Sequence, residues 1–444
     1  MKGRRALVFA LAIMIVLLGS ALAAGVARYG SPRALLLRVR AEFGLIEARD
    51  PYVPTPLPTT VVLAQAEVEP TQTPVPTELP PTATPTEPLP TATPEPSAQP
   101  TATPTTTSTA TPTPTMTATP TPAYLPAGDA VALSGLDHHW QTWSNCGPAT
   151  LSMYLSYYGV RVSQEEVRKV VRPNWEDKHA SPYDLAEYAR GQGLNALVRV
   201  NGDAERLRLL ISNGVPVMAP TWYIDYKGEQ MGHYRLLTGY DDEAGEWIVW
   251  DSLEKRGVNR DQPYTGVRMS YEELETLWPV YNRRYIVVYD DARAEVVHDV
   301  IGEDLDDEIM WRRSLERAEA WLAAEPESAF AWFTMGTNLL HNGRSDEAAA
   351  AFDRARIIGL PHRMMWYQFG AFEAYYNVGR HDEVIALADA TIRVTSDVEE
   401  LHYWRALALE AKGDLDGARA ALRTALEKKH NYTAAREALE RLGE

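Results

Sequence analysis

The pattern of apolar and polar positions changes several times along the chain, and each change marks a different kind of element. Behind Lys2, Arg4 and Arg5, an uncharged run from Ala6 to Ala27 covers 22 residues, enough to cross a bilayer as a helix. Ala21-Leu22-Ala23 also fits a signal-peptide cleavage site, but the length of the run favours an uncleaved anchor over a cleaved signal. Arg28, Arg33, Arg38 and Arg40 follow the run and oppose the positive-inside bias of the N-terminus. From Pro51 to Pro126 large apolar residues nearly vanish and units such as Thr111-Pro112-Thr113-Pro114 take over. Such a stretch cannot bury enough surface to offset its ordering entropy, which predicts an extended, solvated linker.

From about Leu133 to Asp290 the pattern is mixed. Ser163-x-x-Glu166 has the form of a capping box opening a helix that Pro173 ends, and Ser181-Pro182 opens another that closes near Gly191 to Gly193. Asn195 to Val200 reads as a strand, Asp203 to Ser212 as a helix, and Asn213-Gly214 as a turn. Strands follow at Val215 to Trp222, His233 to Tyr240 and Trp247 to Asp251, the last two joined around Ala244-Gly245 as a hairpin. Ser270-x-x-Glu273 caps a further helix, and Tyr285 to Tyr289 closes the sheet. Helices first and antiparallel strands afterwards predict an α+β domain.

Beyond an acidic linker, Glu303 to Glu308, the pattern becomes purely helical and repeats itself. Gly343-Arg-Ser-Asp-Glu-Ala, Gly379-Arg-His-Asp-Glu-Val and Gly413-Asp-Leu-Asp-Gly-Ala recur at spacings of 36 and 34 residues. With Trp332, Gly336, Leu339, Ala348, Phe352, Ala355 and Pro361 around the first, the spacing resembles the tetratricopeptide repeat. The middle unit departs, with Phe372 and Ala388 at its small and large packing positions. Trp311 to Ala324, ending at Pro326, reads as the second helix of an earlier, degenerate unit. Stacked pairs predict an all-α solenoid with a concave groove, a place for a protein or peptide ligand. The alternative is an array that only supports its neighbour. The patterns divide the chain into a membrane anchor at 1–30, a juxtamembrane segment at 31–50, a disordered linker at 51–126, the mixed domain at 130–292 and the array at 304–444.

Composition sharpens this picture in three places. Of 31 prolines, 21 fall between Pro51 and Pro126, and no Lys or Arg occurs from Asp50 to Val160. A net charge of −17 with no basic stripe argues against a nucleic-acid partner. Cys146 is the only cysteine, so no intrachain disulfide forms, and no Cys/His cluster has zinc-site spacing. Neither a metal nor another cofactor is expected.

The candidate chemistry gathers around Cys146. Ser144 and Asn145 are helix N-cap types, Pro148 suits a first turn, and Leu151 to Tyr158 reads as helix up to Gly159. A helix N-terminus favours the thiolate, which is the reactive form, although a lone cysteine can equally be a small buried hydrophobe. A nucleophilic cysteine needs a base, a group to orient that base, and donors for the oxyanion. His233 opens one strand of the predicted hairpin and Asp251 ends the other, so the two fall side by side. Gln141, five residues before the cysteine, offers an amide beside the Cys146 backbone N–H. His138 and His139 are nearer in sequence but have no evident carboxylate to orient them. Arg235, beside the histidine, could read an acidic substrate or a local carboxylate.

The order Gln141, Cys146-Gly147-Pro148, Gly232-His233 and Asp251 resembles the papain-like cysteine peptidases. Within them it is most similar to the double-glycine leader peptidase-like group, which includes bacteriocin-processing peptidases and stand-alone relatives. The similarity covers residues of about 130 to 290, where Gly214-Val215-Pro216-Val217 also matches a family strand. It implies a papain-like fold, Cys146 as nucleophile, His233 as base, Asp251 as orienting group and Gln141 as oxyanion donor. Where the family usually has Asp-Pro this chain has Asp251-Ser252. No ATP-driven transporter domain follows, so the resemblance does not carry a leader-peptide substrate with it. The expectation is a membrane-tethered, extracytoplasmic cysteine peptidase acting on a protein or peptide, or a secreted one if the signal is cleaved. Its rivals are a surface adaptor with an idle papain-like domain and a cell-wall amidase using the same residues.

Overall fold

The computed structural model describes residues 122–444, apart from 226–227 and 260–261. The anchor expected at 1–30, the juxtamembrane segment and the linker as far as Thr121 lie outside the described residues. Among the described residues no helix is long and apolar enough to cross a membrane. The end of the predicted linker is docked: the Ala123 N–H donates to Asp299, and Leu125 exchanges two hydrogen bonds with Asn213.

A short strand β1 (Ala130–Ala132) precedes helices α1 (Cys146–Tyr157), α2 (Gln164–Val171) and α3 (Pro182–Gly191). Then come β2 (Asn195–Arg199), α4 (Ala204–Ser212), β3 (Val217–Ile224), β4 (Gln230–Asp241), β5 (Glu246–Trp250), β6 (Val267–Ser270), α5 (Tyr271–Leu277), β7 (Tyr285–Tyr289) and α6 (Ala294–Ile301). The capping box at α2 forms as read, with Ser163 and Glu166 each bonding the other's backbone N–H. Ser270 caps α5 through the Glu273 N–H.

The strands pair antiparallel in the order β2-β7-β3-β4-β5-β6, with β1 also on β4. The last strand, β7, therefore does not close the sheet at an edge. It inserts between β2 and β3, pairing with both. Alternate residues face two cores: Met218, Leu236, Ile286 and Val288 pack under α1 to α3, while Val217, Ala219, Leu237 and Val287 pack under α4 and α6. A sheet covered on both faces holds its strand ends rigidly, and the candidate site is built on those ends.

Helix α7 (Asp307–Ala324) leads into the pairs α8 (Ala329–His341) and α9 (Ser345–Ile358), α10 (Gly370–Asn377) and α11 (His381–Ile392), and α12 (Glu399–Ala411) and α13 (Leu415–Lys428), with α14 (Thr433–Arg441) last. These are tetratricopeptide-type hairpins. The recurring Gly343, Gly379 and Gly413 follow the first helix of each pair at φ of 75°, 76° and 85°, the left-handed conformation that ends a helix cheaply only for glycine. The acidic stretch Glu303 to Glu308 is part of this fold and not a spacer. Asp304 is buried between Arg206 and Arg313, and Asp306 caps α7.

The array and the sheet domain share apolar core. Trp222, Val280 and Tyr281 belong to the cluster built on Phe333, Phe352 and Phe372, and Trp222 meets Phe330 with ring centroids 5.6 Å apart. The first helix of each pair, or the turn leading into it, faces the sheet domain. On α8, Asn338 exchanges hydrogen bonds of 3.0 Å with Asn282, and Thr334 donates to the Pro279 carbonyl. Before α10, Gln368 donates to the Val280 carbonyl and Arg363 pairs with Glu229. Just past α13, Lys429 pairs with Glu399 at the start of α12 and with Asp184 of α3.

Candidate active site

Cys146 is the first residue of α1 and is half-buried. Asn145 occupies the cap position, but no side chain caps the helix. Its amide is engaged elsewhere, donating to Gln164 Oε1 at 2.8 Å and accepting from Arg172 at 3.3 Å. The first-turn N–H groups of α1, including that of Cys146, therefore remain for an incoming oxygen. The fully buried Arg172 also donates to the Trp143, Trp175 and Asp177 carbonyls, tying together the loops that flank the cysteine.

Strand register brings His233 and Asp251 together. β5 pairs with β4 only from Leu236↔Trp250 onward, so the chain leaves β5 at Asp251 beside the free edge of β4. His233 Nε2 lies 2.8 Å from Asp251 Oδ1, with both side chains 1% exposed. With Nε2 committed to Asp251, Nδ1 is the nitrogen left to act on the Cys146 thiol, whose pKa His233 lowers.

The electrostatics favour an ion pair. Burial pushes the Cys146 thiol up, but the hydrogen bond and charge of His233, with help from Arg172, outweigh it and lower its pKa. Burial pushes His233 down, but Asp251 and Cys146 raise it to about 9. Burial likewise opposes ionisation of Asp251, yet His233 and Arg235 hold it well below the usual carboxylate range. The thiolate–imidazolium form should therefore dominate near neutral pH. Alkylation of Cys146 followed against pH should show a midpoint well below the ordinary value of about 8.5. In His233→Ala burial is no longer opposed by an imidazolium, so the midpoint should move upward past that value. Equal midpoints in the two proteins would mean that the pair does not form.

Asp251 is held by more than the sequence indicated. Its Oδ1 also accepts from the Leu253 and Glu254 N–H groups at 2.7 and 2.8 Å. Arg235 Nε stands 3.1 Å from Oδ2, an ion contact whose angle falls outside hydrogen bonding, so Arg235 reads a local carboxylate. The i, i+2 spacing of His233 and Arg235 on one strand is the signal for this. His138 is not near the cysteine in role: its Nε2 donates to the Asp251 carbonyl at 2.8 Å, and its ring stacks on Tyr264. The Tyr264 hydroxyl bridges the Asp251 backbone.

Gln141 is tied to Ser252 twice. Its N–H donates to the Ser252 carbonyl, and its Oε1 accepts from Ser252 Oγ, both at 2.9 Å. The serine that replaces the usual proline thus fixes the amide with Nε2 as its remaining donor. Gln141 is not among the residues lining the cleft around the cysteine.

That cleft is lined by Ser144, Cys146, His233, Tyr234, the Lys178-His179-Ala180 loop, Tyr281, Arg284 and, from the array, Tyr367. Sequence reasoning missed the last three, which reach the site only through tertiary packing. Gly232 leaves room for them: a Cβ there would collide with the Tyr281 hydroxyl and come within 3.1 Å of the Tyr367 ring. Among the described residues no cluster of three or more His, Cys, Asp or Glu side chains could hold a metal ion.

A cysteine at a helix start, facing a His–Asp pair on an antiparallel sheet, is the layout of a papain-like domain. Residues 134–286 match the family model described as Peptidase_C39 like family, so the chain carries a peptidase C39-like domain followed by tetratricopeptide repeats. Among solved structures, a putative C39-like peptidase from Bacillus anthracis is 16% identical, over 37% of this chain and 98% of that one, with a TM-score of 0.29. The peptidase domain of Streptococcus ComA, a bifunctional ABC transporter in a quorum-sensing pathway, is 16% identical over 36% of this chain and all (100%) of that one, at 0.28. YrrB, a tetratricopeptide protein with an unusual peptide-binding site, is 18% identical over 34% of this chain and 76% of that one, at 0.28. No curated protein matches the chain.

Proposed function

We propose that the chain is a cysteine peptidase that hydrolyses an amide bond of a protein or peptide through Cys146, His233 and Asp251. The observation that carries this reading is the buried His233–Asp251 pair, 2.8 Å apart, in one cleft with Cys146 at the start of α1, with shifts that favour thiolate and imidazolium. The thiolate attacks the scissile carbonyl carbon, and the oxygen takes up charge facing the Cys146 N–H; Gln141, outside the cleft lining, would add its amide only by turning toward it. His233 then gives its proton to the leaving amine, and the C–N bond breaks to leave a thioester. A water molecule, deprotonated by His233, attacks the thioester; the acid leaves and the thiol returns.

The N-terminal apolar run and the Thr-Pro linker support a placement outside the cytoplasm, tethered to the membrane. A partner of the repeats would use helix surfaces that the array does not turn toward the peptidase domain. The decisive experiment treats purified residues 122–444 with a thiol-directed, peptide-based activity probe, beside Cys146→Ala. Labelling and turnover in the parent alone support the reading, whereas a folded parent that neither labels nor cleaves leaves the domain an idle adaptor. Turnover against pH should be bell-shaped, rising as Cys146 ionises and falling as His233 loses its proton near pH 9.

A further inference from the structure

We propose that the cleft beside Cys146 is a receptor for a carboxylate, so that the peptide cleaved carries an acidic side chain or a free C-terminus close to the scissile bond. The inference rests on the peptidase reading and adds the substrate's chemistry.

It comes from Arg284. Nearly every arginine among the described residues is paired or hydrogen-bonded, and Arg268, Arg312 and Arg393, which are not, are exposed to water. Arg284 is half-buried, lines the cleft with Cys146, and has neither an ion pair nor a side-chain hydrogen bond among the described residues. Its Nε is buried without an acceptor. In a chain with a net charge of −17, a guanidinium left free of carboxylates inside a cleft is out of keeping with the rest of the molecule.

Two further donors stand with it. The Tyr281 hydroxyl is buried in the same cleft with no partner. Lys178, on the opposite loop, has its ammonium 5.0 Å from the Trp143 ring centroid and no ion pair. Of the nearby acids, Asp184 and Glu399 hold Lys429, and Glu400, with one oxygen 3.6 Å from His179 and the other buried without a partner, is pushed by burial toward its neutral form. The charge of Arg284 acts on His179, Tyr234 and Tyr281, the same groups that surround the sulfur. A buried donor without an acceptor is unfavourable, and a fixed fork of N–H groups matches a carboxylate best.

The backbone is arranged to present these donors. Between Tyr281 and Arg284, Asn282 and Arg283 take φ of 57° and 50°, a conformation that side chains other than glycine adopt at a cost. Asn282 is held there by Asn338 and Ser314 of the array. The repeats thus fix the turn that aims Tyr281 and Arg284 into the cleft.

The test uses two alkylating agents of like size, iodoacetate and iodoacetamide, on the parent, Arg284→Gln and Arg284→Lys. His233 is retained throughout, so its attraction for the anion cancels in the comparison. The iodoacetate-to-iodoacetamide rate ratio should fall roughly tenfold or more in Arg284→Gln and return in large part in Arg284→Lys. An unchanged iodoacetamide rate will show that the Cys146–His233 pair is intact. A ratio equal in all three proteins overturns the proposal. A second arm compares internally quenched peptide pools differing only in Glu against Gln, or in a free against an amidated C-terminus. Preference for one acidic pool, lost in Arg284→Gln, identifies the source of the carboxylate, and equal cleavage of all pools overturns the proposal. If the parent cleaves no pool while the alkylation ratio still depends on Arg284, it is the peptidase reading that has failed and the anion site that stands.

Discussion

Asp251→Asn should lower kcat by about 10²–10⁴-fold and destabilise the fold by about 3–5 kcal/mol. The rate falls because an amide no longer stabilises the imidazolium or fixes its tautomer. The stability falls because Arg235, 2% exposed, loses the carboxylate 3.1 Å away and keeps its charge in the interior. The pH dependence separates the two partners. Asp251 is depressed on folding, so its contribution is present above the unfolded value and is lost as pH falls through the folded one. His233 is raised to about 9, so its contribution is complete below its unfolded value and lost as pH rises toward 9. Chemical denaturation from pH 3 to pH 10 should therefore show stability falling at both ends in the parent, with both slopes reduced in Asp251→Asn. A variant as active and as stable as the parent would mean that another group orients His233.

What the sequence made legible was what neighbouring residues decide among themselves. The helix beginning at Cys146, the capping box at Ser163 and the hairpin that sets His233 beside Asp251 all depend on short-range pattern, and each forms. The insertion of β7 between β2 and β3 was not legible, because an apolar run fixes a strand but not its place in a sheet. The acidic stretch read as a linker for a related reason. Charge in series suggests solvation, and the arginines that bury Asp304 lie on other elements. In the candidate site the same division holds. Ser252 could be noticed as a departure but not as the anchor of Gln141, since the bond joins two distant loops. Tyr367 reaches the cleft from the array and Arg284 from the turn before β7, and no local pattern records either.

Cutting the chain near Asp306, before α7, should abolish folding and cleavage together. The repeat pattern by itself suggested a groove for a ligand, in which case truncation would raise KM for a large substrate and spare a short peptide. The array also packs on the sheet domain through shared apolar core and hydrogen bonds. Truncation would expose Trp222, Val280 and Tyr281, each of which contributes about 1.5–3 kcal/mol when buried. The sum is comparable with the whole stability of an ordinary domain, about 5–15 kcal/mol. It would also strip Asn282 of Asn338 and Ser314, leaving the strained turn before Arg284 without its support. Thermal unfolding, short-peptide cleavage and the pH midpoint of Cys146 alkylation should be measured on the truncated protein and on Asn338→Ala. The point variant leaves the apolar contacts in place and should lose less stability than activity, since it acts on the turn that carries Tyr281 and Arg284. A truncated protein that melts cooperatively at the parent's temperature and cleaves short peptides at the parent's rate would show the array to be an independent module, and the recruitment of a ligand would then be the better account of it.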